Sequence, residues 1–96
     1  MKFRSGVLHG EEVTELLNYA NENDFALPAV NVVNTSSVNA VLQTAKEVNS
    51  PVIIQFSNGG GSFYAGKHLD NTYQKAAIAG SISGAYHIHL MAKEYD

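Results

Sequence analysis

Three polar residues stand where apolar runs end. Asn31 lies near the end of Phe25-Ala26-Leu27-Pro28-Ala29-Val30-Asn31-Val32-Val33, and Gln55 and Ser57 fall toward the end of Val52-Ile53-Ile54-Gln55-Phe56-Ser57. An amide donates and accepts together, so Asn31 and Gln55 could each hold a hydroxyl or carbonyl of a small polar ligand. An amide satisfied within the sheet end is the equally open alternative. Asn58-Gly59-Gly60-Gly61-Ser62 follows directly. A strand that runs into a glycine-rich loop resembles an anion cradle, in which bare backbone N–H groups meet a phosphate. The run lacks the Gly-Lys-Ser/Thr ending of a Walker loop, and its consecutive glycines do not make G-x-G-x-x-G. A flexible turn explains it equally well.

The remaining candidates carry less. On a helix, His87 and His89 point about 200° apart at roughly 100° per residue, so their rings cannot converge on a metal. His89 is expected to pack against the sheet and His87 to lie in water or at an interface. His9 and His68 read as isolated loop histidines. Glu11, Glu12 and Glu15 resemble a carboxylate site, but acids in the first turn of a helix have an ordinary dipole explanation. Tyr64 and Lys67 could reach a ligand from the loop or simply be solvated. The residues alone give neither an acid–base pair nor a set of metal ligands. A sugar-phosphate enzyme and a plain structural fragment both stay open.

The elements that must position these residues alternate. Val13, Leu16, Leu17 and Ala20 recur at helical spacing and predict a helix over Gly10 to Asn23. The run from Phe25 to Val33 predicts a buried strand, with Pro28 near its start where a missing donor is tolerable. Thr35, Ser36 and Ser37 are N-cap candidates for a helix reaching about Asn49, striped by Val38, Val41, Leu42, Ala45 and Val48. Val52–Ser57 reads as a strand covered on both faces. The glycine run should be a loop that continues through Asn71. A long helix from about Thr72 to Glu94 should then bury Ile78, Ile82, Ala85, His89 and Ala92, with Gly80, Ser81, Ser83, Gly84 and Ala85 providing small faces for close packing. Two strands joined through a helix form the βαβ unit of a parallel sheet.

The chain has 96 residues, 45% of them hydrophobic, with 6 Lys+Arg against 9 Asp+Glu, a net charge of -3 and no cysteine. The length suits one small domain at most. The acidic balance argues against nucleic acid as a partner, since phosphate backbones require clustered Lys and Arg. Absent cysteine removes disulfide scaffolds and thiolate chemistry. No apolar run suits a membrane span and no apolar signal core follows the N-terminus, so a cytoplasmic protein is expected. In open α/β sheets and in (β/α)8 barrels alike, ligands gather at the carboxyl ends of the strands, where Asn31 and Ser57 fall. A barrel uses roughly 250 residues for eight units. Ninety-six residues hold two, and two strands cannot close a barrel. The expected fold is α/β, a leading helix and two βα units that look like the beginning of something larger; a doubly wound sheet and a (β/α)8 barrel both use such units.

The segments from Phe25 to Val32 and from Ser50 to Gly60, followed by Ala65-Gly66-Lys67, closely resemble the N-terminal part of class II fructose-bisphosphate aldolases. The similarity runs through Lys75-Ala76-Ala77-Ile78 into Ala85-Tyr86-His87-Ile88-His89. Class II tagatose-bisphosphate aldolases share the Pro-Ala-x-Asn and Ser-Pro-Val elements but resemble the glycine loop less. The resemblance implies a zinc-dependent, usually homodimeric lyase of glycolysis and gluconeogenesis, which cleaves fructose 1,6-bisphosphate to dihydroxyacetone phosphate and glyceraldehyde 3-phosphate. It implies a TIM barrel of which residues 1–96 are an N-terminal portion, and it places Asn31, Gln55 and Ser57 on the substrate-binding surface. It also implies that the catalytic aspartate and the zinc ligands belong to a His-x-Asp-His strand and later segments outside this chain. The expectation is therefore that residues 1–96 are inactive alone. A non-catalytic binding or assembly module with open strand edges is the alternative.

Overall fold

The computed structural model describes residues 3–95. Helix α1 spans Glu11–Glu22, strand β1 Ala29–Asn31, helix α2 Thr35–Glu47, strand β2 Ile53–Gln55, helix α3 Asn58–Ala65 and helix α4 Lys75–Ala92. One 3-10 turn, Thr72–Gln74, leads into α4. The strands pair in parallel, with Ala29 opposite Ile53, Val30 opposite Ile54 and Asn31 opposite Gln55. The chain is therefore a helix-rich α/β unit around a two-stranded parallel sheet. Its radius of gyration is 14.6 Å, against about 12.5 Å for a compact chain of this length. It is elongated because few layers stand behind the strands.

The strands are shorter than the apolar runs that contain them. Pro28 lies just before β1, where its carbonyl accepts the Ile53 N–H at 2.8 Å. On the helix-covered side Ile54 is half-buried, and Val32 just beyond β1 is fully buried. On the other side Ala29, Asn31, Ile53 and Gln55 are exposed. The second strand is thus covered on one face only, contrary to the continuous run of apolar residues. The apolar pattern is that of a strand buried twice, but this chain brings helices to one side.

The core is small: Val32, Val38, Leu42 and Ala92 are buried, and Val41, Ile54, Phe56, Ile88 and Met91 pack against them. Helix α2 contributes Val38 and Leu42 as its periodicity predicts, while Val48 remains 64% exposed. Its N-cap is Asn34, one residue before the expected candidates. Asn34 Oδ1 accepts the Ser37 N–H at 2.7 Å, and Ser37 Oγ accepts the Asn34 N–H at 3.1 Å. Ser37 is the second half of a reciprocal capping box, not the cap itself. Replacing Asn34 with alanine should lower stability by about 1 kcal/mol. A urea titration followed by helical circular dichroism would measure it; no shift in midpoint would contradict the cap's importance.

Helix α1 buries Ala20 and leaves Leu17 half-exposed. An edge-to-face series ties it down: Phe3 to Tyr19 at 5.8 Å and Tyr19 to Phe25 at 5.9 Å between ring centroids. Arg4 forms an ion pair with Glu12, with Nη2 2.8 Å from Oε1. The hydrogen bond from Arg4 holds the Glu12 carboxyl below its ordinary range and raises the guanidinium in turn. Glu12 is therefore engaged at the surface and does not build a catalytic cluster with Glu11 and Glu15.

Two expectations fail at the C-terminal half, for one reason. The glycine run is the helix α3, not a loop, and the face α4 buries consists of Ala76, Ala77, Gly80, Gly84 and Ala92. Ile78 and Ile82 stay 55% and 53% exposed, and Ala85 and His89 are exposed too. A Cβ on Gly80 would collide with the Gly61 carbonyl, and one on Gly61 would lie 2.8 Å from the Ala77 carbonyl oxygen. Glycine disfavours an isolated helix by about 1 kcal/mol per residue. Here its absent side chain lets two backbones touch, and that contact outweighs propensity. Ser57 Oγ accepts the Gly60 N–H at 3.0 Å and caps the helix start.

His89 does not pack against the sheet as expected, while His87 lies where two helices meet. His87 is half-buried, with Nε2 3.0 Å from Asn39 Oδ1, and so links α4 to α2. His89 faces solvent. The small-residue face rotates α4 away from the orientation its isoleucines predict.

Candidate functional site

The open face of the sheet carries the candidate residues Asn31 and Gln55. Parallel pairing sets Asn31 directly opposite Gln55. Gln55 Nε2 donates to Asn31 Oδ1 at 2.7 Å, so two residues 24 positions apart make one polar unit. Both remain exposed. Whichever way the two amides are turned, one hydrogen bond between them leaves a carbonyl oxygen on one residue and N–H on the other for a ligand. The pair can therefore receive a group that donates and accepts, such as a hydroxyl. It carries no charge and cannot relay a proton at neutral pH.

Ser57 lies two residues beyond Gln55 and turns the chain into α3. Its Oγ already accepts from Gly60 N–H, which leaves the hydroxyl hydrogen available to donate. The sequence brings all three expected residues to the carboxyl ends of the strands, and the structure joins two of them by a direct bond.

Two further amides were not legible in the sequence. Asn58 Nδ2 donates to Gln74 Oε1 at 2.7 Å across 16 residues. Both line a shallow groove with Phe56, Ser57, Ala77 and Ser81. No spacing rule reveals this pair, because it depends on left-handed backbone at Tyr73 (φ 57°) and Gln74 (φ 64°). Each such non-glycine residue costs about 1 kcal/mol.

Among the described residues, no group of three or more His, Cys, Asp or Glu could hold a metal ion. The described residues therefore do not fit a zinc site. Tyr64 is used structurally: its ring packs edge-to-face on Phe56 at 5.6 Å. Lys67 and His68 are exposed.

A profile described as fructose-bisphosphate aldolase class-II matches residues 11–95. The chain belongs to the class II fructose-bisphosphate aldolase family. It is 56% identical over 92 residues to the fructose-bisphosphate aldolase of Campylobacter jejuni, covering 96% of this chain and 25% of that protein. It is 56% identical over 93 residues to the class 2 fructose-bisphosphate aldolase of Escherichia coli K12, covering 96% and 26%. A crystal structure of the Campylobacter jejuni aldolase superposes with a TM-score of 0.88 at 56% identity, over 96% of this chain and 26% of that one. The chain spans about a quarter of the length of the curated aldolases it matches. The family assignment agrees with the resemblance read from the Gln55–Gly60 string and from Ala65-Gly66-Lys67.

Proposed function

We propose that residues 1–96 supply the N-terminal quarter of a class II fructose-bisphosphate aldolase barrel, and with it part of the substrate-binding surface. The Asn31–Gln55 bond at the open sheet face supports this reading most directly. Two neutral amides and the Ser57 hydroxyl suit a polyhydroxylated sugar phosphate such as fructose 1,6-bisphosphate or dihydroxyacetone phosphate. They bind and orient; they do not cleave. The role of these three residues is to fix hydroxyl and carbonyl oxygens so that a proton can be moved by groups elsewhere in the barrel. Zinc, in this reading, is held by residues outside the chain, and no step here passes through it. The complete protein is a cytoplasmic homodimer. The barrel stays incomplete without its other strands, so residues 1–96 alone are inactive.

The test is a fusion of this chain to the three quarters of the Campylobacter jejuni aldolase that lie outside the matched segment. Fructose 1,6-bisphosphate and tagatose 1,6-bisphosphate are offered separately, with and without a zinc chelator. The expected result is chelator-sensitive cleavage of the fructose substrate by the fusion and none by the 96-residue chain. Comparable turnover by the isolated chain, or a folded fusion that cleaves neither sugar, would overturn the proposal.

A further inference from the structure

We propose that Gln74 is a positioning residue for the sugar-phosphate surface, acting through Asn58 on the start of α3. The inference rests on the reading of that surface given above.

Gln74 occupies a costly conformation. It and Tyr73 are consecutive left-handed residues, and neither is glycine. Such strain persists where surrounding bonds over-determine it, and here they do. Asp70 Oδ1 accepts from the Thr72 N–H at 3.2 Å and from the Thr72 hydroxyl at 2.8 Å. Asn71 Oδ1 accepts the Ala77 N–H at 3.0 Å, and the Asn71 carbonyl accepts the Gln74 N–H at 3.0 Å. Four bonds from two side chains and one carbonyl thus pin the turn before α4.

A helix needs no such turn to begin. A plain N-cap would start α4 without left-handed residues. What this turn does is send the Gln74 side chain back to Asn58, whose Nδ2 it accepts at 2.7 Å. Asn58 is the first residue of α3, directly after Ser57. The groove beside them is lined by Ser57, Asn58 and Gln74 together. Gln74 therefore fixes the rotamer of Asn58 and the angle at which the chain leaves Ser57. A side chain placed to bind a ligand needs this kind of support, because a loosely held group binds less well even when every contact survives.

The experiment uses the fusion. Gln74→Met removes the acceptor; Gln74→Asn shortens it; Asn58→Gln combined with Gln74→Asn moves one methylene across the bond and restores its span. All stay uncharged, so an anionic substrate meets no new repulsion. Gln74→Met and Gln74→Asn should each raise KM for fructose 1,6-bisphosphate about tenfold, the scale of one lost hydrogen bond, with kcat within about twofold. The paired exchange should bring KM back to the parent value. A merely structural clasp would lower the thermal midpoint and leave KM unmoved. An active fusion with unchanged KM in Gln74→Met, or no recovery in the paired exchange, would overturn the inference alone. An unsubstituted fusion that folds but cleaves neither sugar would overturn the reading beneath it, and the inference with it.

Discussion

Replacing Gly80 with alanine should destabilise the chain by about 3 kcal/mol, while the same change at Gly84 should cost about 1 kcal/mol. Both glycines are buried on the same face of α4. Both would place a new Cβ into occupied space, but the occupants differ. At Gly80 the nearest atoms are the carbonyl of Gly61 and the backbone nitrogen of Ala65. Backbone cannot turn aside, so α3 and α4 must separate along their crossing. At Gly84 the occupant is the ring of Phe56. A ring can rotate about its own side-chain bonds, although its contact with Tyr64 limits how far. Helix propensity runs the other way, since alanine favours a helix over glycine by about 1 kcal/mol. The steric term must therefore exceed that gain by about 3 kcal/mol at Gly80 and by only about 1 kcal/mol at Gly84. Urea midpoints of the two variants, followed by helical circular dichroism, decide the matter. Equal losses at the two positions would show that the crossing is not set by backbone contact.

That crossing also shows where sequence reading stopped. The periodicity of α2 identifies Val38 and Leu42 correctly because large apolar residues there meet a sheet. The same rule applied to α4 selects Ile78 and Ile82, and they are more than half exposed. Hydrophobic periodicity assumes that the buried face is the most apolar one. Where two helices meet through glycine and alanine, the buried face is the smallest one instead. Gly80, Ser81 and Gly84 were recognisable as small, but their partner was not, because Asn58-Gly59-Gly60-Gly61 reads as a loop until α4 is beside it. The placement of the polar residues was more legible. Asn31 and Gln55 are single polar residues at the ends of apolar runs, and parallel pairing alone places such ends side by side. Gln74 was invisible for the opposite reason: its position depends on two left-handed residues that no pattern of residue types announces.

In the fusion, replacing either Asn31 or Gln55 with leucine should lower kcat/KM about a hundredfold, and replacing both should lower it little further. The reason is the bond between them. Each amide holds the other in place across the strands, and in the proposed role the ligand would meet the pair's outward donor and acceptor together. Once one amide is lost, the other turns freely and no longer presents a fixed group. Residues that act as a unit are strongly non-additive in this way. Stability should respond differently. Both side chains are exposed, so loss of one water-accessible bond should change the unfolding free energy by about 1 kcal/mol or less. The separation of the two readouts carries the test. A hundredfold loss with an intact thermal midpoint places the pair in substrate binding. Additive losses in kcat/KM would show that the amides act independently, and a loss of activity that tracks loss of fold would make them a sheet clasp. Gln55→Glu sharpens the distinction. Asn31 can turn and donate to the new carboxylate, so the cross-strand bond is kept, but the outward face becomes negative. Leucine removes the pair and glutamate preserves it. Comparable loss of activity in both variants therefore means that the chemistry presented to the sugar phosphate matters, and not merely the joining of two strands.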